Sequence, residues 1–337
     1  GKPMQYVYSG SPQIRSGVTT RKIMMHVCIA LVPSCIAGCI FFGWGALLTL
    51  AIAVFAAVAS EVVYRLCCRV PFKKIFAEFD FTSVVTGLLV GMNAYADSKW
   101  YAVALASVFA VVVAKMIFGG TGKNVVNPAI VGRIFAFISF GAAFGGSIAT
   151  TDPNFVDKCY TTVSGTSQII GATPMQALYS EAVTCKLTTL DLFLGNGVYG
   201  SIGEVCKLAL IVGGIYLIAV GVLNFRWPLV YLAVTGVATF FINGFNMTNA
   251  LNSLLSGGLM LGAIFMATDY VTTPATKTGN YIYFVALGVL TAVLRHAVKG
   301  EAVSFAILLM NFVVPLIDNF CVRRPFGFHK PVKEVKA

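Results

Sequence analysis

Ten apolar runs divide evenly around one long polar segment, residues 147–204. Most of the runs approach the roughly 20 residues that an α-helix needs to cross the hydrocarbon core. An odd number of spans in each half turns the second half upside down relative to the first, and it leaves the polar segment wholly on one face of the membrane. The sequence therefore predicts an all-α polytopic membrane protein with a five-plus-five inverted repeat, whose spans are 23–42, 45–66, 81–96, 100–118, 125–146, 205–223, 227–245, 250–268, 280–298 and 301–318.

Composition supports a membrane location. Hydrophobic residues make up 58% of the chain and charged residues only 11%, against about 25% charged residues in a soluble domain. The third and eighth runs are the weakest, so counts of nine or eleven spans stay open.

The excess of basic residues indicates how the chain is oriented in the membrane, and it does not indicate a nucleic-acid-binding surface. Most of them lie on one side of the predicted membrane, before the first span, after the second, and after the last. Because cytoplasmic loops carry the excess of Lys and Arg, both termini are predicted to be cytoplasmic and the insert external. The predicted division is a cytoplasmic segment 1–22, a first repeat 23–146, the insert 147–204, a second repeat 205–318 and a basic tail 319–337.

The third run of each half contains residues that interrupt helices. Residues 81–96 include Gly87, Gly91 and Asn93, and residues 250–268 open with Asn and Ser before a Gly pair. Such segments at matching positions predict broken helices around a central site. Close helix packing through small residues is the alternative.

Charged groups within the runs are candidates for function. Glu61 and Asp269 are predicted to lie on an ion or proton path, with a structural ion pair as the open alternative for either. Lys115 and Arg133 are expected to extend their charged ends to the membrane surface.

Two polar loops are predicted to face each other on the cytoplasmic side. One is glycine-rich, runs through Asn124 and ends at Asn127 before Pro128; the other contains Asp269 and Thr272. The glycine loop lacks the Gly-Lys-Ser/Thr ending of a P-loop. No catalytic acid, base or nucleophile constellation and no metal-ligand spacing is present, so neither catalytic residues nor a metal site are predicted.

The external insert carries the sequence Gly171-Ala172-Thr173-Pro174. A threonine that follows two small residues on a turn is a candidate for carrying a group covalently. Cys159 and Cys185 also fall in the insert, and their pairing in an oxidising space stays open.

Five segments, in order along the chain, together resemble a known family. They are Arg15–Met25, Gly122–Arg133, Gly200–Glu204, Thr268–Pro274 and Glu301–Asp318. The resemblance is to the D subunit of the Rnf electron-transport complex and its relative, the B subunit of the sodium-translocating NADH:quinone reductase. It extends from about Ser11 to Arg324, and the short segment before the first span favours the Rnf member.

The resemblance implies a urea-transporter-like fold and an FMN joined through its phosphate to Thr173, with Gly171 and Ala172 leaving room for a flavin transferase. This chain departs from the family pattern upstream, where Ile170 and Ser167 stand in place of the usual residues. The resemblance also implies a second, non-covalent flavin such as riboflavin, which we place near Asn124, Asn127, Asp269 and Thr272.

The predicted function is that of a flavin-carrying subunit of an ion-translocating ferredoxin:NAD⁺ oxidoreductase in a prokaryotic inner membrane. Its partners would be a second flavin-carrying subunit, iron–sulfur subunits and the lipid bilayer, and its electron flow would be coupled to Na⁺ or H⁺ movement. The alternatives are the quinone-reductase subunit and a channel or transporter without a redox centre.

Overall fold

The computed structural model describes residues 18–145, 159–162, 169–171, 174–179, 183–185, 187–298 and 302–322. Most of these residues lie in helices that share one apolar core. In chain order the helices are α1 (Thr20–Phe42), α2 (Trp44–Cys67), α3 (Phe72–Ala77), α4 (Thr82–Met92), α5 (Trp100–Val111, continued by a π-helical turn, Val112–Met116), α6 (Pro128–Phe144), α7 (Pro174–Tyr179), α8 (Thr189–Leu194), α9 (Lys207–Ala219), α10 (Arg226–Ile242), α11 (Met247–Leu255), α12 (Leu259–Leu261, continued by a π-helical turn, Gly262–Met266), α13 (Lys277–Val298) and α14 (Val303–Phe320).

Length and hydropathy separate the apolar helices into three groups. Within the described ranges, α1, α2, α13 and α14 are each long and apolar enough to cross a membrane. The pair α11 and α12 passes the same test with a bend of 66°. The remaining apolar helices, α4, α5 with its π turn, α6, α9 and α10, are shorter. The chain is therefore a polytopic membrane protein with four or five helices of spanning length, while the count of ten spans stays a prediction.

The predicted break in the second half is present. Between α11 and α12, Ser256 is extended and Gly257 has a φ of +66°. Buried Arg295 of α13 donates hydrogen bonds to the carbonyl oxygens of Ser253 (2.7 Å) and Ser256 (3.1 Å). A cation therefore stabilises the carbonyl end of α11, where the helix leaves its last oxygens without helical partners.

The corresponding prediction for the first half was wrong, because α4 is short but continuous. A Cβ at Gly87 would lie 2.7 Å from Val54 Cα, and one at Gly91 would lie 3.0 Å from Ala53 Cβ. These glycines allow α4 to pack closely on α2, which is the alternative that the sequence left open.

The two halves use equivalent helix pairs. In the first half α2 packs on α4 and α5, α5 on α6, and α1 on α4; in the second α10 packs on α11 and α13, α13 on α14, and α9 on α12. Between the halves, α1 contacts α9 and α6 contacts α14. These pairs are ones that a repeat would produce, and the five-plus-five inverted repeat stays a prediction.

The described part of the insert adds a small sheet to the helical fold. Strands β1 (Cys159–Thr162), β2 (Ile169–Gly171) and β3 (Val183–Cys185) form an antiparallel sheet in the order β2-β1-β3. Further along, residues 200–205 are buried. Their backbone caps α4, because Gly203 N donates to Met92 O at 2.7 Å and Ile202 N donates to Ala94 O at 3.0 Å.

Candidate functional site

The two polar loops predicted to face each other do meet, at the mouth of one cavity. The space between its walls, including the part open to the surroundings, is about 830 Å³. Its walls are mainly apolar side chains from α1, α4, α9 and the π turn after α12. The polar residues that line it include Thr82, Lys115, Asn124, Asn127 and Asp269.

Asp269 lies at this mouth and is partly buried. Burial raises the pKa of its carboxyl group, although hydrogen bonds from the Val271 and Tyr270 backbone and from the Thr272 and Asn124 side chains oppose that rise. Thr272 is buried and donates to Asp269 Oδ2 at 3.4 Å. The structure thus brings together three of the four residues predicted for the second flavin, with Thr272 behind the carboxylate.

Asn127 lies in the same cavity wall, but the polar atoms of its side chain already have partners. Its Oδ1 accepts a hydrogen bond from Ala129 N at 3.0 Å and caps the start of α6. Its Nδ2 donates to Met266 O at 3.0 Å, at the end of the π turn after α12. Asn127 therefore fixes the position of α6 against the second half, a role for which Asn-Pro at a helix start is a recognisable sequence signal.

Glu61 is held between two cations. Lys115 Nζ lies 3.0 Å from Glu61 Oε2, and Arg65 Nη2 lies 2.7 Å from Glu61 Oε1. Glu61 is 1% exposed. A carboxylate at this depth requires compensating charge, so the geometry corresponds to the ion pair that the sequence left open for Glu61.

Lys115 does not extend to the membrane surface as expected. It is 2% exposed and lies in the π turn after α5. Besides Glu61, its ammonium group donates to Thr82 Oγ1 and to Ser83 Oγ at 3.3 Å. These three oxygen partners offset part of the cost of removing the ammonium group from water. Arg133 is also bonded within the fold, from Nη1 to Ser304 Oγ at 2.8 Å.

Asp80 extends this polar network, and sequence reasoning did not identify it. Its Oδ1 accepts from Thr82 Oγ1 at 2.5 Å, and its Oδ2 accepts from Thr121 Oγ1 at 2.7 Å. Burial opposes ionisation of Asp80, but the two threonine hydroxyls and the charge of Lys115 bring its pKa below the usual value. The available signal was the sequence Asp80-Phe81-Thr82 before a helix. An Asp side chain often accepts a hydrogen bond from the backbone N–H two residues on, as Asp80 does from Thr82 N at 3.1 Å.

The predicted attachment site lies between two described elements. Strand β2 ends at Gly171 and α7 begins at Pro174, which is buried together with Met175. Ala172 and Thr173 fall outside the described residues. The predicted attachment at Thr173 therefore stays a prediction.

Comparison with known proteins gives one consistent result. Residues 7–327 match the model of the NQR2, RnfD, RnfE family. The chain is 38% identical to the D subunit of a Na⁺-translocating ferredoxin:NAD⁺ oxidoreductase complex from Acetobacterium woodii, over 98% of each chain. It is 34% identical to the D subunit of a proton-translocating ferredoxin:NAD⁺ oxidoreductase complex from Clostridium ljungdahlii, over 96% of each, and 34% identical to the D subunit of an ion-translocating oxidoreductase complex from Marinobacter nauticus, over 97% of each. The chain belongs to the NQR2, RnfD, RnfE family.

Proposed function

We propose that this protein is the D subunit of an Rnf-type complex, an ion-translocating ferredoxin:NAD⁺ oxidoreductase. The observation that carries the proposal is similarity to subunits of that name over 96% or more of both chains. The described helices of membrane-spanning length fit a subunit of a membrane complex. As a subunit of a redox-driven translocase, the chain works with the other membrane and iron–sulfur subunits and is not an enzyme by itself.

Within this role we assign the covalent FMN to Thr173. Support comes from the family and from the position of the residue, two after the end of β2 and one before α7. A phosphoester to a threonine hydroxyl leaves the isoalloxazine ring free to accept and donate electrons. The topology proposed from the basic residues places this insert, and the flavin transferase that acts on it, outside the inner membrane, with both termini in the cytoplasm.

A second flavin, held without a covalent bond, is proposed for the cavity between the two loops. An apolar enclosure with a few polar groups at one end suits a flat aromatic ring system. Asn124 and Asp269 have polar groups at the mouth, whereas the side chain of Asn127 is committed to its structural hydrogen bonds. When bound, a flavin would supply one- and two-electron chemistry there.

For the ion path, the geometry favours Asp269 over Glu61. Asp269 lies where the cavity opens, and its carboxyl is bonded to neutral donors. Glu61 already has two cationic partners. We therefore propose Asp269 as the entry residue for the transported ion and assign Glu61 to the support of the network around Lys115.

A channel without a redox centre is the competing function, because a membrane cavity alone would suit it. The two are separated by purifying the complete complex and measuring flavin content, ferredoxin-dependent NAD⁺ reduction and ion uptake into proteoliposomes. The proposal expects two flavins on this subunit and uptake only during electron transfer. Ion flux that continues without ferredoxin, from a subunit lacking flavin, would contradict it.

A further inference from the structure

Helix α3 turns an apolar face away from the protein. Phe72 and Phe76 are four residues apart and share a face of the helix, with ring centroids 4.8 Å apart. They are 57% and 59% exposed, whereas Ile75 of the same helix is 2% exposed and α3 packs on α2. Paired exposed rings of this kind mark a surface that contacts another apolar body.

The position of α3 in the chain indicates what that body is. The helix follows α2, which is long and apolar enough to cross the membrane. Near its end α2 exposes Val63 and Leu66, and Arg69, with a φ of +60°, then turns the chain. A short helix directly after a spanning segment lies where the acyl chains meet the headgroups. The apolar face of α3 therefore continues the lipid-facing surface of α2.

Two cations accompany this face. At about 100° per residue, Lys73 lies at the edge of the face that Phe72 and Phe76 form, and it is exposed. Arg69 lies in the turn before the helix and is exposed as well. Lys74 lies on the opposite side of α3, where its Nζ is 3.7 Å from Glu78 Oε1. Positive charge thus borders the apolar face on the chain segment that enters α3.

The combination of rings and cations selects among the bodies that could cover this face. An acidic soluble protein would supply negative charge but would leave the phenylalanine rings in a polar surrounding. An apolar helix of a partner subunit would cover the rings but would give the cations no counter-charge. A zwitterionic lipid supplies acyl chains, but its own ammonium group offsets the charge of its phosphate. An anionic phospholipid supplies both acyl chains and net negative charge.

We propose that α3 and the turn before it form a site for an anionic phospholipid. Its acyl chains contact Phe72 and Phe76, and its phosphate contacts Lys73 and Arg69. The topology proposed from the basic residues places this lipid in the cytoplasmic leaflet. The inference goes beyond the proposed function, because it needs only the membrane location of the chain and is independent of flavin binding and of ion transport.

The test places the photoreactive residue p-benzoylphenylalanine at position 76 of the full-length protein. The protein is purified with the subunits that accompany it and reconstituted in nanodiscs of equal parts phosphatidylglycerol and phosphatidylcholine with identical acyl chains. Mass spectrometry after illumination identifies the adducts. We expect lipid adducts in which phosphatidylglycerol exceeds phosphatidylcholine at least threefold. Lys73→Gln and Arg69→Gln should each lower that ratio at least twofold, because each removes one cation from the phosphate.

Lys74→Gln is the matched control, since it removes the same charge from the neighbouring residue, which faces away from the rings and contacts Glu78. It should leave the adduct ratio unchanged. Equal yields of the two lipid adducts in the unaltered protein would overturn the headgroup contact, and adducts to another subunit in place of lipid would overturn the lipid site. Equal effects of Lys73→Gln and Lys74→Gln would also overturn it, because a general loss of positive charge behaves in that way.

A second measurement needs no photoreactive residue. A ligand that binds only the folded state raises the temperature of unfolding by mass action. Phosphatidylglycerol added to the detergent-solubilised protein should therefore raise that temperature more than phosphatidylcholine does. Lys73→Gln should remove most of the difference between the two lipids, and Lys74→Gln should retain it. An equal rise with both lipids in the unaltered protein would contradict the proposed site.

Discussion

Lys115 Nζ lies 3.0 Å from Glu61 Oε2, and the two side chains are 3% and 1% exposed. The pair joins α2 to the π turn after α5, and hydrogen bonds continue it through Thr82 to Asp80. Lys115 and Arg65 therefore both pair with Glu61, and Asp80 joins the network through Thr82. This network of buried and partly buried charges holds the cavity wall in one arrangement.

Glu61→Gln should lower the stability of the protein, because it leaves Lys115 and Arg65 with one carboxylate fewer. Removing one partner of a buried ion pair costs about 3 kcal/mol or more. The measurement is the unfolding of the purified, detergent-solubilised protein, followed by heat or denaturant. Glu78→Gln is the control: Glu78 is 54% exposed in its contacts with Lys74 and Arg65, so its loss should cost less than about 1 kcal/mol.

A double variant tests whether the loss of stability comes from the interaction between the charges of Glu61 and Lys115. Glu61→Gln combined with Lys115→Met removes a carboxylate and a cation together, so the loss should be smaller than the sum of the two single losses. Strictly additive losses would show that the two side chains contribute independently.

Gly213→Ala should destabilise the contact between the two halves. Gly213 lies on α9, and a Cβ there would clash with Ala30 O of α1. Overpacking of this kind typically costs about 1–3 kcal/mol. Gly141→Ala in α6 is the matched control, because nothing lies within 4 Å of the added carbon. Equal losses of unfolding free energy in the two variants would contradict the close contact between Gly213 and Ala30.

The positions of the main apolar helices and the meeting of the two loops could be predicted from the sequence. Hydropathy locates apolar helices, and the predicted alternation of their direction placed the two loops on one face. Asn124 and Asp269 were placed together on that basis alone. The pairing of Glu61 with Lys115 could not be predicted, since it depends on how deep each residue lies and how α2 packs on α5. For the same reason Lys115 was wrongly expected to reach the membrane surface.

The glycines in the third apolar run of each half did not distinguish a helix break from close helix packing. In the second half Gly257 adopts a positive φ at a real break, whereas in the first half Gly87 and Gly91 serve close packing. Both uses follow from the missing Cβ, and only the neighbouring helix distinguishes them. The buried path of residues 200–205 was also missed, because a short stretch of small and polar residues has the composition of an exposed loop.

Asp269→Asn should change how stability depends on pH. Burial raises the pKa of Asp269, so the native state binds this proton more tightly than the unfolded state does. Its contribution to stability is present at low pH and is lost as the pH rises through the folded pKa. Unfolding measured over a pH series should show the unaltered protein losing stability relative to Asp269→Asn across that range. Parallel curves would contradict the raised pKa.

The same variant tests the proposed entry residue. We expect Asp269→Asn to slow coupled ion uptake several-fold while covalent flavin loading at Thr173 stays unchanged. Glu61→Gln should reduce the amount of folded protein more than the transport per folded complex. Unaltered ion uptake per complex in Asp269→Asn would remove this residue from the path.

Strand register makes a disulfide feasible in the insert. Cys159 of β1 is directly opposite Cys185 of β3 in the antiparallel pair, and opposed residues in such pairs have Cα atoms about 4.5–5.5 Å apart, within the range for a disulfide. Alkylation of the protein before and after reduction should show two additional reactive thiols after reduction. Cys159→Ser should abolish that difference, and equal labelling in both states would show that the cysteines stay reduced.

The central claim is that the insert carries a flavin on Thr173, and in-gel flavin fluorescence of the denatured subunit tests it most directly. The subunit is produced with its flavin transferase, separated under denaturing conditions and illuminated before staining. We predict a fluorescent band from the unaltered protein and a dark band of equal protein amount from Thr173→Val. A dark band from the unaltered protein, or a fluorescent one from Thr173→Val, would contradict the account.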